Sequence, residues 1–395
     1  MSNGVNGVLR ILTPLHSLES GGVERVTARM DALWRQAGAD ATVFLARPPE
    51  PPEGERRSLR ARMTAWTRHF ETFYMIAILP RAIRKHQPDV LFCAGNTYAV
   101  VAAAMKLLLG ADCPPIMLRV SNDLRRPALS PPVRWLYHSW LRLQGRMFDR
   151  FVGLAEPMRV EIEEMMGVAS ERVAVVPNPV LSARELRELA MLRRPLPRPA
   201  RRFVAVGRLA PQKNYALLIR AFAAAARPAD TLTIFGDGRQ RTALERLIDD
   251  LGLSGRVMLP GYASCHRAKF EDADAMILSS DYEGVPGVVV EAFAAGVPVI
   301  STDCCATVRA FLGDGRLGTL VPIGDAAALA CALDEIGTRT FQAAEARSEA
   351  ALFSLESGAA RYLRLFAELA WPEAAASGTE AAQPVGGWDA IAEAA

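Results

Sequence analysis

The chain has 395 residues, more than one hydrophobic core ordinarily holds, so two domains of ordinary size are expected. Half of the residues are hydrophobic, and a net charge of only +3 excludes a protein built over its whole surface to coat nucleic acid. The six cysteines form no Cys-x-x-Cys pair and no Cys/His cluster at zinc-ligand spacing, and no uninterrupted apolar run approaches the roughly 20 residues that span a bilayer. Reduced thiols, no metal and a cytoplasmic location are therefore expected, with membrane contact confined to the surface.

Residues 8–13 form an apolar run that stops at Pro14, followed by Gly21-Gly22 and a helical pattern over 23–34: a strand, a loop and a helix. Residues 42–45 make a second strand and 48–55 a proline-rich connection. The pattern over 56–85 is helical, broken near Pro80, with eight Arg/Lys against two Glu from Glu55 to Lys85, a local net charge of +6. This stretch is either a core-facing helix with a solvated basic side or an interfacial patch for anionic lipid, as basic helices with aromatics can be. Residues 89–93 and 115–120 are two further strands, whose polar ends carry Asn96, Arg119 and Asn122. A basic helix over 133–148 and strands at 151–154 and 173–176 complete the first half.

Residues 182–202, rich in Arg and Pro without a strong apolar run, mark a linker, and the alternation then restarts. Strands are expected at 203–206, 232–235, 257–259, 275–278, 297–300 and 319–321, with helices between. Repeated strand-then-helix order specifies α/β architecture with parallel sheets covered on both faces. The expected domains are thus 1–181, a linker over 182–202, 203–354, a closing helix over 355–370 and a disordered tail over 371–395. Ligands of such sheets sit outside the carboxyl ends of the strands, so the polar strand ends of both halves should line one cleft.

In the second half, Gly207-Arg208 and then Lys213 follow the first strand, suited to a diphosphate that Arg grips bidentately and Lys meets as a point charge, or else two solvated surface cations. Gly236-Asp237-Gly238 permits close backbone approach, Gly261-Tyr262 offers backbone groups to a base, and Ser301-Thr302-Asp303 are loop caps or cleft residues. The stretch 279–300, SSDYEGVPGVVVEAFAAGVPVI, is organised around Glu283 and Glu291. Between them a loop of Gly284, Val285, Pro286 and Gly287 opens onto a helix amino terminus, a ready seat for phosphate. Both carboxylates accept hydrogen bonds and so suit sugar or ribose hydroxyls. The Asp272-Ala273-Asp274 run precedes a buried strand and reads as a turn feature.

GGVER at 21–25, VGRLAPQKN at 206–214, FGDG at 235, LPGY at 259, SSDYEGVPGVVVEAFAAGVPVIST at 279 and LVPIGD at 320 occur in an order that resembles the retaining GT-B glycosyltransferases of group 1, the family-four class. The resemblance implies two facing Rossmann-like domains, 1–181 for the acceptor and 203–354 for the nucleotide-sugar donor. It implies that Arg208 and Lys213 bind the donor diphosphate, Glu291 the ribose hydroxyls and Glu283 the transferred sugar. Backbone groups around Gly287, Val288 and Val289 would take the distal phosphate, with the base near Tyr262. Gly21, Gly22, Gly207, Gly236 and Gly284 complete the implied donor set. RVSND at 119–123 and STDCCATVR at 301–309 resemble bacterial transferases that extend polysaccharide or lipid-linked oligosaccharide chains, except that Cys305-Ala306-Thr307 stands where those often carry proline and glycines. His16, Asn96, Arg119 and Asn122 are the available substitutes for the histidine that many relatives place against the donor sugar, and the candidate contacts to acceptor or sugar.

The implied reaction is front-face retaining transfer from a nucleotide sugar, UDP-linked for preference, to a glycan or lipid-linked acceptor, with no metal, no other cofactor and no nucleic acid. Arg208 and Lys213 would stabilise the leaving diphosphate, and Glu283 would position the sugar. A nucleotide-sugar epimerase shares the two-domain fold, and a non-catalytic nucleotide-sugar or membrane binding module is the other alternative; sugar release and transfer separate all three.

Overall fold

The computed structural model describes residues 7–16, 22–46, 71–122, 124–126, 129–192, 200–336 and 341–373. Gly21, most of the basic segment before residue 71 and the tail from 374 lie outside these. The chain divides into two compact units, one of Met1–Pro179 with Leu355–Ala395, the other of Val180–Ser354. Each is Rossmann-like, and together they make a GT-B-like pair of α/β domains.

The first unit alternates β1 (Arg10–Leu15), α1 (Gly22–Gln36), β2 (Asp40–Leu45), α2 (Glu71–His86), β3 (Val90–Cys93), α3 (Ala99–Leu109), β4 (Ile116–Arg119), α4 (Pro131–Met147), β5 (Arg150–Gly153), α5 (Pro157–Met166) and β6 (Val173–Val175). Its six strands pair in parallel in the order β2-β1-β3-β4-β5-β6. Strand β1 does not stop at Pro14 as expected. Pro14 pairs in register with Phe44 of β2, while the pairing with β3 ends at Leu12, so no ladder donor is needed from it on that side. Helix α2 likewise runs through Pro80 instead of breaking there; burial of Met75, Leu79, Ala82 and Ile83 along one face offsets the missing hydrogen bond.

The second unit begins with α6 (Ala183–Ala190) and continues with β7 (Arg202–Val206), α7 (Tyr215–Ala225), β8 (Thr231–Phe235), α8 (Arg241–Asp250), β9 (Val257–Gly261), α9 (His266–Phe270), β10 (Ala275–Leu278), α10 (Gly287–Ala294), β11 (Val299–Thr302), α11 (Ala306–Phe311), β12 (Gly318–Val321), α12 (Ala326–Asp334) and α13 (Ala343–Ala351). Helix α6 corrects the first part of the linker expected over 182–202, of which 193–199 lie outside the described residues. Ser182 caps it reciprocally with Glu185, and its Ala183 and Leu189 are buried, so these residues belong to the second core. The sheet order is β12-β11-β10-β7-β8-β9, all parallel, and it reverses direction between β7 and β10. Two apolar clusters cover the two faces of this sheet. Ser301 and Thr302, expected in a loop, are buried within β11.

The chain then returns to the first unit as α14 (Leu355–Ala370). Trp34 of α1 anchors it, packing edge-on against Tyr362 and Phe366 and donating its indole N–H to the Ala359 carbonyl at 3.1 Å. Among the described residues no helix is long and apolar enough to cross a membrane.

Candidate active site

In an open parallel sheet the reversal of strand order leaves a crevice beyond the carboxyl ends of the two central strands. In the second unit those ends are Gly207-Arg208 after β7 and Ser279-Ser280 after β10, the two segments marked out by the sequence. The loop after β7 is held by its neighbours: Gly207 N–H donates to the Phe235 carbonyl (2.9 Å), Leu209 N–H to Asp237 (2.9 Å), and Asp281 N–H to Gln212 (2.9 Å). Asn214, in the left-handed conformation at φ 45°, caps α7 through Leu217 N–H and ties back to Asp281 Oδ1 at 2.8 Å.

The two expected diphosphate ligands sit in different environments. Lys213 donates to Glu283 Oε1 at 2.5 Å, and Ser280 Oγ donates to the same oxygen at 2.6 Å. Both partners are largely buried, with side chains 16% and 10% exposed. The Arg208 side chain is exposed and makes no hydrogen bond or ion pair among the described residues. One cation is thus neutralised before any ligand arrives, and the other is available. Thr302 Oγ1 donates to the Ser280 carbonyl at 2.5 Å, fixing the loop that carries Glu283 from below.

The turn at Gly284–Gly287 leads into α10 as expected. The amides of Gly287 and Val288 make no backbone hydrogen bond among the described residues, whereas the Val289 amide already donates to Pro286. Two of the three expected backbone donors therefore remain for an anion at a helix amino terminus.

Glu291 projects from α10 into a cluster absent from the sequence reading. Its Oε2 accepts from Lys269 Nζ at 2.5 Å and lies 3.1 Å from His266 Nδ1, while His266 Nε2 faces Glu185 of α6 at 3.6 Å. Burial alone would raise the Glu291 carboxyl, but His266 and Lys269 hold it below the usual carboxylate range. Burial likewise works against protonated His266, yet its hydrogen bonds to Glu185 and Glu291 raise it to about 9. Glu291 is thus an ionised acceptor locked in orientation, with Oε1 free of hydrogen bonds among the described residues. The His-x-x-Lys spacing on α9 was the available signal; nothing linear connects it to Glu291.

Gly236 has another reason to be glycine than ligand approach. A Cβ there would lie 1.9 Å from the Gly207 carbonyl oxygen, and one at Gly238 would lie 2.4 Å from that of Leu209. Both keep the β7 and β8 loops in contact. Tyr262 is exposed after β9.

In the first unit, Gly22 is the exposed first residue of α1. The His16 ring lies 4.9 Å from that of Tyr98, whose hydroxyl donates to Glu24 at 2.9 Å. Asn96 Oδ1 accepts from Ser121 N–H at 2.9 Å. Arg119, expected at an open strand end, is instead buried, and Asn122 is exposed.

Residues 200–338 match the family described as glycosyl transferases group 1, and residues 21–179 match the glycosyl transferase 4-like domain. The chain belongs to the GT-B glycosyltransferases. This glycosyltransferase is 27% identical over 338 residues to the lipopolysaccharide core biosynthesis glycosyltransferase LpsE of Rhizobium meliloti (strain 1021), covering 82% of this chain and 88% of that one. It is 33% identical over 261 residues to an exopolysaccharide phosphotransferase of Streptomyces coelicolor, of which it spans only 26%. The fold superposes on HepE of Anabaena, solved in complex with UDP, with a TM-score of 0.65 at 16% identity, covering 91% of this chain and all of that one.

Proposed function

We propose that this glycosyltransferase is a retaining, metal-independent enzyme that moves a sugar from a nucleoside-diphosphate sugar, UDP-linked for preference, to a glycan or lipid-linked acceptor in cell-surface polysaccharide or glycolipid synthesis. The observation that carries the reading is the convergence at the β7/β10 reversal of the Arg208 side chain and the Gly287 and Val288 amides, unbonded among the described residues, with the Lys213–Glu283 pair. The UDP in the HepE structure and the named role of LpsE favour the donor and the pathway class.

In this reading the diphosphate lies against Arg208 and the α10 amides, and its charge draws the Lys213 ammonium from Glu283. Glu283 is then released to accept from a hydroxyl of the transferred sugar. The bond from the anomeric carbon to the phosphate oxygen breaks, the electron pair leaves with the diphosphate, and the acceptor oxygen bonds on the same face. The acceptor proton passes to the departing phosphate oxygen. Fixed cations whose charge counts most as the diphosphate leaves lower the barrier selectively. Glu291 Oε1 accepts from the ribose, and the Tyr262 segment meets the base.

Incubation with a panel of UDP- and GDP-sugars tests this. Release of nucleoside diphosphate with transfer, and an axial or equatorial anomeric configuration unchanged from donor to product, is expected. An inverted product would reject the retaining assignment, and nucleotide binding without turnover would favour a binding module.

A further inference from the structure

Arg119 ends β4, at the carboxyl edge of the first unit's sheet, and is only 2% exposed. Its Nη2 donates to Asn178 Oδ1 at 2.6 Å, a neutral acceptor. Its Nε and Nη1 are buried without any hydrogen-bond partner among the described residues, as is the hydroxyl of Tyr362. Glu24 and Tyr362 are the groups whose field reaches the guanidinium, but the Glu24 carboxylate takes its hydrogen bond from Tyr98 and makes no ion pair with Arg119.

This is a costly arrangement for a resting protein. A guanidinium does not deprotonate to escape burial, and a buried cation is ordinarily paired with an anion that satisfies its fork of donors. Here one amide oxygen serves a group with five N–H donors. The strand-end position is where an open parallel sheet receives ligands.

We propose that Arg119, with Asn178 orienting it, is the seat of an acidic group, a phosphate or carboxylate, on the acceptor. This rests on the glycosyltransferase function proposed above, with the first unit as the acceptor domain that the family resemblance implies. The guanidinium completes its hydrogen bonds with the ligand's oxyanion, and a neutral acceptor lacking that group binds poorly.

The test uses the full chain and follows the arginine Nε–H resonances by nitrogen-15 NMR, the Arg119 signal being assigned by its loss in Arg119→Gln or, should that variant fold badly, in Arg119→Lys. Titration with inorganic phosphate, and separately with acetate, should move the Arg119 signal saturably, while chloride at matched ionic strength should not. The arm giving the tighter saturation identifies phosphate or carboxylate as the preferred group. In parallel, the phosphate-dependent rise in Tm should shrink in Arg119→Gln, and that variant should be at least as stable as wild type in anion-poor buffer, because a buried unpaired charge has been removed. An Arg119 signal that responds to neither anion, or equally to chloride, overturns the proposal. Titration with UDP of the same sample reads the Arg208 signal instead, so failure of the donor reading is seen separately from failure of this one.

Discussion

Lys213 and Glu283, 70 residues apart in sequence, form a hydrogen-bonded ion pair at 2.5 Å, with a serine hydroxyl on the same carboxylate oxygen. The pairing exists because β7 and β10 are neighbours at the point where the strand order reverses. Both side chains are mostly shielded from water, so removing one strands the other. Lys213→Met should therefore cost about 3–5 kcal/mol of stability, and Lys213→Met with Glu283→Gln should recover most of it. Denaturant unfolding of the single and double variants reads the coupling; additive effects would show that the pair is not a unit.

Glu283 and Glu291 should part company in function. Glu291→Ala removes a charged acceptor worth about 1.5–3 kcal/mol per hydrogen bond and should weaken binding of the free nucleoside diphosphate. Glu283→Gln should spare that affinity and lower turnover. Calorimetric titration beside steady-state kinetics measures both, and identical behaviour of the two variants would contradict the division of roles.

The His266 cluster gives a pH dependence with a definite sign. Burial disfavours its charge, but Glu185 and Glu291 raise the folded-state pKa from the ordinary 6.5 to about 9. The resulting stabilisation is complete below about 6.5 and is lost as pH rises through about 9. Tm should fall across that window, and the fall should flatten in His266→Gln. An equally steep profile in the variant would remove His266 as its source.

The basic segment from Glu55 to Lys85 should bind anionic membranes reversibly, each cation near the surface contributing about 1 kcal/mol. In its described part, Phe73 and Tyr74 of α2 are exposed. Cosedimentation with phosphatidylserine vesicles should weaken as salt rises and fall when Arg56, Arg57, Arg60 and Arg62 are changed to Glu. Salt-independent binding would point to another attachment.

The strands of both sheets were legible because each is a short apolar run ended by glycine or polar residues, and the same punctuation singled out Arg208, Glu283 and the α10 turn as candidates. Helix α6 was not, since its arginine- and glutamate-rich sequence buries little beyond Ala183 and Leu189, although the Ser182-x-x-Glu185 capping box was there to be read. Pairings across the sheet were also invisible: Lys213 with Glu283, Lys269 and His266 with Glu291, and Gly236 against Gly207 all depend on which strands and loops become neighbours, which residue spacing along the chain does not encode. Arg119 looked like an open strand end because its polarity, and not its burial, is what a sequence displays.

Arg208 offers the most direct test of the donor site. Its side chain is exposed and without a partner among the described residues, so Arg208→Ala should change stability by no more than about 0.5 kcal/mol. Turnover with the donor sugar nucleotide should nonetheless fall by about 100-fold or more, the scale of losing one donor that stabilises the leaving charge. Arg208→Lys should restore only part of it, because an ammonium does not reproduce the bidentate grip. Steady-state kcat of the folded variants, with circular dichroism as the control for structure, decides the matter: a loss of that size places the diphosphate at the β7/β10 reversal, and near wild-type turnover in Arg208→Ala would contradict it.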